Sequence, residues 1–256
     1  MNLKNKNIYI IGGLGRIGKE VLAGLLAYEA TVIVLDKDIK KQSSYTSSGP
    51  SNVKFLEIDC ADIEAAEIIF RQAMEKFGCP DVFINCSYPR TEDWSSNSFE
   101  KISLQSMRKN IDIHLNSYIW LAKIAADVMK QENKAGSIIL TSSIYGFKAQ
   151  DLNLYSDCEM TENLTYGVIK AGILQGSRQM ASYYGQFNIR VNIVCPGGVQ
   201  DKSQHPSFIE KYSSKTPLKR LASPSDLVGA YVFLSSDLSS YITGETLVID
   251  GGISIV

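Results

Sequence analysis

The sequence has few residues of the kinds that bind metals or form disulfide frameworks. Its 256 residues include only two histidines, and its five cysteines are an odd number without a CxxC pair. No metal site is therefore predicted, and buried reduced thiols are the expected state of the cysteines.

Long apolar runs and charge of one sign are also missing. No apolar stretch is long enough to cross a bilayer, and the N-terminus, MNLKNKNIYIIGG, reaches glycine too soon to form the apolar region of a signal peptide. The formal net charge of -1 comes from 26 basic and 27 acidic residues that are interspersed, which argues against nucleic acid or a membrane as partner. We expect a cytoplasmic protein that binds a small molecule.

What the sequence does contain is a regular alternation of short apolar runs and longer segments of helical period. This pattern predicts an α/β fold: a single-domain Rossmann fold over residues 1–256, with a doubly wound, seven-stranded parallel sheet and helices on both faces. The predicted strands are NIYIIGG, ATVIVLD, VKFLEID, DVFINCS, GSIILTSS, IRVNIVCPGG and ETLVIDGG. The predicted helices are 17–28, 63–77, 104–129, 166–184 and 224–234. The loop-like stretches 144–165 and 197–216 are predicted to be binding loops or lids.

The stretch IIGGLGRIGKE predicts a phosphate-binding loop, and two kinds of phosphate fit its glycines. Gly13 and Gly18 with the following lysine match the GxxxxGK of a P-loop, whereas Gly13, Gly15 and Gly18 match the GxGxxG of a dinucleotide fold. A P-loop needs a hydroxyl after the lysine to hold magnesium, but Glu20 stands there. The dinucleotide interpretation instead gains Asp36, at the end of the second strand, which can accept hydrogen bonds from ribose hydroxyls.

Asp36 also bears on which dinucleotide binds. Its carboxylate would repel a 2′-phosphate, so NAD(H) is favoured over NADP(H). The neighbouring Lys37 softens that preference, because its charge is of the opposite sign.

Tyr166 and Lys170 lie four residues apart at the start of a predicted helix, so the phenol and the ammonium project from one face. A nearby ammonium lowers the pKa of a phenol and so prepares it to exchange a proton with a substrate oxygen. The pair follows a strand that ends in TSS, and such folds bind ligands at the carboxyl ends of parallel strands. Ser143 in that segment is a candidate donor to a carbonyl oxygen. A helical tyrosine that only packs and a serine that only forms a turn are the alternatives.

Together these motifs resemble those of the short-chain dehydrogenase/reductase family across essentially the full length of the chain. The matching segments are GGLGRIG, Asp36, IDC, INCS, TSS, YGVIK, VCPGG and YITGETLVIDGG. The resemblance implies that Tyr166 is the acid/base, that Lys170 modulates its pKa and binds a ribose, and that Ser143 polarises the carbonyl. It also implies a homo-oligomer, a tetramer or a dimer, with the C-terminal segment at a subunit interface.

The same resemblance implies a set of cofactor-binding residues. Asp59, Asn85 and the Pro-Gly-Gly turn, taken alone, would more often be structural turn residues. The implied set is Gly12, Gly15, Arg16, Ile17 and Gly18 on the pyrophosphate side, Asp36 and Lys37 at the ribose, Asp59 and Cys60 at the adenine, Asn85 at the adenosine ribose region, and Pro196, Gly197 and Val199 at the nicotinamide, with Tyr166 and Lys170 beside it.

The sequence departs from the family pattern at two positions. Arg16 replaces the middle glycine, which shifts the close backbone approach to Gly15 or puts the guanidinium beside the phosphates; an exposed arginine without a role is the alternative. His114 replaces a catalytic asparagine, and an imidazole there would titrate near pH 6.5. His114 is either part of a proton relay or a packing residue only.

The loop before Tyr166 is about ten residues longer than is usual for the family, which creates a rival candidate. Tyr155 has the customary distance from Ser142. Glu159 stands where the lysine would be, however, and a carboxylate raises the pKa of a phenol. We therefore expect Tyr166 to be the acid/base.

The predicted reaction is hydride transfer between NAD(H) and a secondary alcohol or ketone. Arg90, in SYPRTEDW, is a candidate ligand for a phosphate or carboxylate of the substrate, with a solvated surface arginine as the alternative. SYPRTEDW, DIHLNSY and the long loop resemble a bacterial subgroup linked to flagellin and surface-polysaccharide sugars, which implies a polar sugar derivative. A non-redox lyase or epimerase that uses bound NAD transiently, and a binding protein that senses the NAD redox state, stay open.

Overall fold

The sheet of the computed structural model has seven parallel strands in the order β3-β2-β1-β4-β5-β6-β7. The structure describes residues 2–42, 52–158 and 160–256. The chain forms β1, β2 and β3 toward one edge of the sheet and then β4 to β7 toward the other. The direction changes between β1 and β4, and sheets of this kind bind ligands at the carboxyl ends of the strands that flank such a switch point. The strands are β1 (Asn7–Ile11), β2 (Thr31–Asp36), β3 (Val53–Glu57), β4 (Val82–Asn85), β5 (Gly136–Thr141), β6 (Ile189–Pro196) and β7 (Thr246–Ile249).

Helices cover both faces of the sheet because successive apolar residues of each strand point to opposite sides. The helices are α1 (Arg16–Ala27), α2 (Ile63–Phe77), α3 (Leu104–Asn110), α4 (Ser117–Gln131), α5 (Leu164–Tyr184), α6 (Pro206–Lys215) and α7 (Val228–Ser235). In β1, Ile8 and Ile10 pack with α1 and α7, whereas Tyr9 and Ile11 pack with α2, α4 and α5 on the other face. The predicted doubly wound architecture is confirmed.

The predicted helix 104–129 is not uniform. A π-helical segment, Ile111–Asn116, joins α3 to α4 and carries His114 at its centre. The wider turn changes the direction in which side chains leave the helix, and such segments are frequent at functional sites. The helix predicted over 224–234 likewise begins as a 3-10 turn, Pro224–Leu227, before α7.

The prediction that 197–216 is a loop throughout is wrong, because α6 occupies its second half. His205 caps this helix by accepting a hydrogen bond from the Ser207 amide at 3.2 Å, and Pro206 follows at the first helical position. Only Phe208 and Tyr212 of α6 are buried. Two apolar positions among polar residues gave too weak a periodic signal.

The described residues of 144–163 have the predicted loop character, with short 3-10 turns at Ile144–Gly146 and Leu152–Leu154, and α5 begins at Leu164. Lys148 fixes it to the C-terminal segment by donating to the Ile253 carbonyl at 2.7 Å. Lys211 of α6 donates to the Ser156 carbonyl. Within the described ranges, no helix has the length and apolar character needed to cross a membrane.

Candidate active site

The glycine turn between β1 and α1 has no room for side chains at two of its positions. Gly12 has φ +74°, a conformation that other residues rarely adopt. A Cβ on Gly18 would lie 2.0 Å from the Gly12 carbonyl oxygen, so the turn and the first turn of α1 touch through backbone alone. The Gly15 amide also donates to Gly12 O at 3.1 Å. The turn therefore presents main chain, and the amino end of a helix, to its surroundings.

Asp36 stands at the end of β2 beside this turn. Its Oδ2 accepts a hydrogen bond from the Leu14 amide at 2.9 Å, and its Oδ1 accepts one from the Asp38 amide at 3.2 Å. The carboxylate is half-buried, whereas Lys37 is exposed. The structure thus holds Asp36 in place by backbone donors and leaves acceptor capacity on its oxygens.

The residues predicted for the adenine side lie at the ends of β3 and β4. Asp59 is exposed, and its Oδ1 accepts from the Ala61 amide, so part of its role is to form a turn. Cys60 is buried, and burial raises the pKa of its thiol to about 12. Asn85 is fully buried; its Oδ1 accepts from Ser87, but its Nδ2 has no partner among the described residues. An orphaned amide of this kind points to a ligand acceptor.

The end of β6 is fixed from α6. The Gly198 amide donates to the Tyr212 phenol oxygen at 2.5 Å, and a Cβ on Gly197 would lie 3.0 Å from the same oxygen. Tyr212 thereby sets the path of the chain from Pro196 to Val199, which approaches the glycine turn across the cleft. The sequence contained no signal for Tyr212, since its helix was not predicted.

Arg16 joins the two sides of the cleft. Its guanidinium lies 3.1 Å from an Asp201 carboxylate oxygen and donates to the Val199 carbonyl oxygen at 3.2 Å. Hydrogen bonds from Ser203 and, to a smaller extent, the charge of Arg16 lower the pKa of Asp201. Arg16 is thus exposed, and it binds the loop after β6 through Val199 and Asp201.

Tyr166 and Ser143 come together although they stand 23 positions apart in the sequence. The Asn163 side chain caps α5 by accepting from the Tyr166 amide at 2.9 Å, which sets Tyr166 in the first turn of the helix. Ser143 follows β5, and its hydroxyl lies close enough to the Tyr166 phenol to lower the pKa of that phenol in part. Hydroxyl and phenol therefore face the same point of the cleft.

Lys170 is buried one helical turn after Tyr166. Its Nζ donates to the Thr141 carbonyl oxygen at 3.2 Å and lies 3.3 Å from His114 Nε2. It also lies over the rings of Tyr118, at 5.1 Å, and Tyr166, at 5.7 Å from the ring centroids. Such ring faces attract a cation and replace part of its lost hydration.

Two predictions about ionisation are wrong: the lowered pKa of Tyr166 and the ordinary pKa of His114. Burial raises the pKa of Tyr166 to about 12, and it lowers the pKa of Lys170, for which the sequence predicts no direction, to about 7. His114 does not titrate near pH 6.5, because burial and then the charge of Lys170 hold its pKa well below that value. The protein atoms thus favour a neutral phenol and a neutral imidazole at pH 7.

An aromatic wall surrounds Tyr166. The ring centroids of Tyr88, Trp94 and Tyr145 lie 6.0, 6.2 and 6.3 Å from that of Tyr166, each nearly perpendicular to it. Such edge contacts are the preferred arrangement of aromatic pairs. The wall excludes water from one side of the phenol, which explains the direction of its pKa. Arg90 is exposed and lies over Tyr88 with 5.4 Å between Cζ and ring centroid.

The rival Tyr155 lies elsewhere. Its ring stacks on Phe208 of α6 at 5.8 Å, and its hydroxyl accepts from Gln150 Nε2 at 3.0 Å. Burial raises the pKa of Tyr155, while Glu159 lies outside the described residues. The choice of Tyr166 therefore agrees with the position of the other candidate groups.

Sequence reasoning missed several residues that shape the site. The segment SYPRTEDW held a signal for two of them, because two aromatic residues follow the end of a central strand closely. Tyr145 stands two residues after Ser143, so it too is an aromatic residue shortly after the end of a strand at the site. The missed residues are Tyr88, Trp94, Tyr145, Asp201 and Tyr212. Among the residues that the structure describes, no group of three or more His, Cys, Asp or Glu side chains is placed to hold a metal ion.

Comparisons with known proteins agree with this arrangement. A family model described as "Enoyl-(Acyl carrier protein) reductase" matches residues 15–254. The chain is 33% identical over 254 residues to "Post-translational flagellin modification protein A" of Campylobacter coli, with 98% of each chain covered. It is 28% identical over 272 residues to L-rhamnose-1-dehydrogenase of Scheffersomyces stipitis, covering 99% of this chain and 97% of that protein.

Among solved structures, a short chain dehydrogenase from Leptospira borgpetersenii serovar Hardjo-bovis with bound NAD+ superimposes with a TM-score of 0.87. Its sequence is 31% identical, and the match covers 99% of this chain and 94% of that one. The match extends over both the glycine turn and the segment from Ser143 to Lys170.

Proposed function

Because the chain belongs to the short-chain dehydrogenase/reductase family, we propose that it is an NAD(P)-dependent oxidoreductase that interconverts a secondary alcohol and a ketone. The observation that carries this proposal is the meeting of Ser143, Tyr166 and Lys170 at one point of the cleft. The glycine turn and the orphaned amide of Asn85 lie along the same edge of the sheet. We propose further that residues 1–256 act as one nicotinamide-binding domain.

Each of the three side chains has a task in the reaction. Tyr166 Oη takes the proton of the substrate hydroxyl in oxidation and returns it to the ketone oxygen in reduction. Ser143 donates to the same substrate oxygen and so fixes its position. Lys170 Nζ, when protonated, favours the phenolate and would donate a hydrogen bond to a cofactor ribose. A bound nicotinamide supplies the hydride acceptor or donor.

The donor set fits such a cofactor. The pyrophosphate would lie at the glycine turn formed with Gly12 and Gly18, and the adenosine ribose would bind the Asp36 carboxylate. The buried Asn85 Nδ2 offers a free donor next to that region. Because Asp36 is held with its charge toward the turn, we propose NAD(H) over NADP(H), with Lys37 as the residue that softens the preference.

We propose a polar sugar derivative as the substrate. Two relatives support this choice, one named for flagellin modification and the other for oxidation of L-rhamnose. Free cysteines and the use of a nicotinamide nucleotide are consistent with a cytoplasmic location, which we also propose. A homo-oligomer, tetramer or dimer, is the proposed assembly.

The test compares Tyr166→Phe with Tyr155→Phe. Absorbance of NADH is followed with NAD+ and a panel of sugars, while fluorescence titration measures the affinity for NAD+. Tyr166→Phe should fold, bind NAD+ and lose about 10³-fold in turnover, because it removes the acid/base group. Tyr155→Phe should keep the parental rate. Equal rates for Tyr166→Phe and the parent would refute the assignment.

The same assay separates the other functions that the fold allows. A lyase or epimerase that uses NAD transiently would form product without releasing NADH in equal amount. A protein that only senses the NAD redox state would bind NAD+ and turn over no sugar. Equimolar NADH and ketone support the proposed oxidoreductase.

A further inference from the structure

Tyr88 forms a partition between the buried and the open parts of the site. Its ring lies 5.2 Å from that of His114 and 6.0 Å from that of Tyr166, and Lys170 Nζ is 5.7 Å from its centroid. Yet 43% of Tyr88 is exposed. One side of this residue therefore belongs to the reacting groups and the other to the mouth of the cleft, where Arg90 lies over the ring.

The loop of residues 86–97 that carries Tyr88 is held at both ends. The Tyr118 phenol donates to the Ser87 carbonyl oxygen at 2.6 Å, just before Tyr88. The Thr91 amide donates to Asn110 Oδ1 at 3.0 Å, just after Arg90. The backbone between these bonds therefore needs little ordering when a ligand binds, and a preorganised group binds more tightly than a mobile one.

Asn163 fixes the far part of the same loop. Its Nδ2 donates to the Trp94 carbonyl oxygen at 2.9 Å, while its Oδ1 caps the helix that presents Tyr166. One side chain thus holds the aromatic wall and the acid/base group in a fixed relation. These two bonds of Asn163 fix the position of Tyr166 relative to the loop that carries Tyr88 and Arg90.

Arg90 has a charge that the described protein does not neutralise by contact. No carboxylate of the described residues lies within ion-pair distance of its guanidinium, which rests on the Tyr88 ring instead. The charge of Arg90 contributes to the lowered pKa of Asp201, but the Asp201 carboxylate is already paired with Arg16 at 3.1 Å. A planar guanidinium offers paired donors that match a carboxylate or a phosphoryl group.

We propose that Arg90, supported on Tyr88, binds an anionic group of the substrate, so that the enzyme selects phosphorylated or acidic sugars over neutral ones. This inference rests on the proposed function, because the substrate ring must reach from Arg90 to Tyr166 Oη. The rings of Tyr88, Trp94 and Tyr145 would contact the apolar C–H face of the sugar between these two points. Arg90 then recognises the charge of the substrate, and Tyr166 recognises the hydroxyl that reacts.

The experiment uses three hexopyranoses that differ at one carbon: glucose 6-phosphate, glucuronate and glucose. The parent, Arg90→Gln, Arg90→Lys and the control Arg71→Gln are assayed by NADH formation with each sugar. Arg71 is the control for loss of a surface charge, because it is an exposed arginine on α2 that pairs with Glu67 at 2.8 Å. For the parent, kcat/KM should be about 10- to 100-fold higher with at least one anionic sugar than with glucose.

In Arg90→Gln that preference should fall to near one, through a higher KM for the anionic sugar. Arg90→Lys should recover part of it, because the charge returns without the paired donors. Arg71→Gln should keep the parental preference. The preferred anion, phosphoryl or carboxylate, follows from the two acidic sugars. A preference unchanged in Arg90→Gln, or a change confined to the KM for NAD+, would overturn the inference.

A binding measurement keeps the inference testable if none of the three sugars is oxidised. The chain has two tryptophans, and Trp120→Phe leaves Trp94 as the only one. Its fluorescence should respond to glucose 6-phosphate or glucuronate in this background and respond at least tenfold more weakly after Arg90→Gln. Absence of NADH with all sugars contradicts the proposed substrate class. Absence of an Arg90-dependent response contradicts the anion subsite itself.

Discussion

The two halves of the cleft are built in different ways. The cofactor half, at the ends of β1 and β2, is built around a backbone turn in which Gly12 and Gly18 touch without side chains. The catalytic half, around β5 and α5, consists of buried side chains whose pKa values differ from those in water. Burial lowers the pKa of Lys170 to about 7 and raises that of Tyr166 to about 12.

The cofactor half therefore depends mainly on the shape of the backbone, and the catalytic half depends mainly on the ionisation of its side chains. At the glycine turn, phosphate binding depends on the path of the main chain, so a side chain at the contact between Gly12 and Gly18 is harmful. In the catalytic half, the chemistry depends on how much each polar group loses in hydration and what replaces it. Substitutions in the first half should change affinity, and substitutions in the second should change rate and pH dependence.

Among substitutions in either half, Lys170→Met should have the largest effect. Turnover should fall about 10³-fold, because the ammonium that favours the phenolate is lost. Stability should change with pH. The folded pKa of about 7 lies below the ordinary 10.5, so between these values the unfolded chain holds the proton and the folded chain does not. The parent should therefore gain stability relative to Lys170→Met as pH rises from 7 to 10.

Thermal unfolding at several pH values checks this expectation. The relative gain should approach about 1.4 kcal/mol per pH unit and should level off below pH 7. Lys54→Met, at an exposed position of β3, is the control. A constant difference in stability between parent and Lys170→Met from pH 7 to 10 would show that burial does not lower this pKa.

Gly18→Ala tests the cofactor half. The added Cβ would meet Gly12 O at 2.0 Å and Gly13 Cα at 2.8 Å, so the backbone turn must shift. We expect a loss of about 1–3 kcal/mol in stability, as for overpacked cores, and a loss of about 100-fold in affinity for NAD+. With saturating NAD+, kcat should stay within a few fold of the parent.

The matched control is Gly229→Ala, since no heavy atom lies within 4 Å of a Cβ added to this helical glycine. It should raise stability by about 0.5–1 kcal/mol, because alanine loses less conformational freedom in a helix. Titration of NAD+ and thermal unfolding measure both variants. If Gly18→Ala binds NAD+ as the parent does, the close contact of turn and helix is not needed for the cofactor.

The same division explains what the sequence could predict. The seven strands and the glycine turn follow from apolar runs and glycine spacing, which depend on local sequence. Tyr166 and Lys170 were placed correctly on one helix for the same reason. Their pKa values depend on residues far away in the chain, such as Tyr88 and Trp94, whose packing against Tyr166 no spacing rule contains.

His114 illustrates the limit most directly. Its sequence position marks it as a departure from the family pattern, but its ionisation depends on full burial against Lys170 and Tyr118. The helix α6 was missed for a different reason, because the burial of Phe208 and Tyr212 is specified by the loops it covers rather than by its own periodicity.

His114→Asn should separate packing from proton transfer, with a smaller effect than the substitutions above. Burial keeps the imidazole neutral, so the pH-rate profile between pH 6 and 8 should keep its shape. The unfolded chain takes up a proton below about pH 6.5 and the folded chain does not, so the parent loses stability there. The variant should avoid about 1 kcal/mol of this loss at pH 5.5.

Thermal unfolding from pH 7.5 to 5 measures the slope, with His205→Asn as the control. His205 is the other histidine and lies exposed at the cap of α6, where asparagine also serves. An inflection near neutrality that disappears from the rate profile of His114→Asn would instead assign His114 a titrating role in the relay.

Asp201→Asn should have the smallest effect, and it tests the connection between the halves. The Arg16–Asp201 pair is partly exposed, so its loss should change the free energy of unfolding by less than about 1 kcal/mol. Removing the carboxylate frees Arg16 next to the phosphate region and removes a repulsive charge, so affinity for NAD+ should rise about two- to fivefold at low salt. The gain should vanish at high salt, because exposed charges are screened. A weaker affinity for NAD+ would show that the ion pair acts chiefly by holding the loop after β6 against the glycine turn, so that the path of the main chain at the phosphates would itself depend on two side chains.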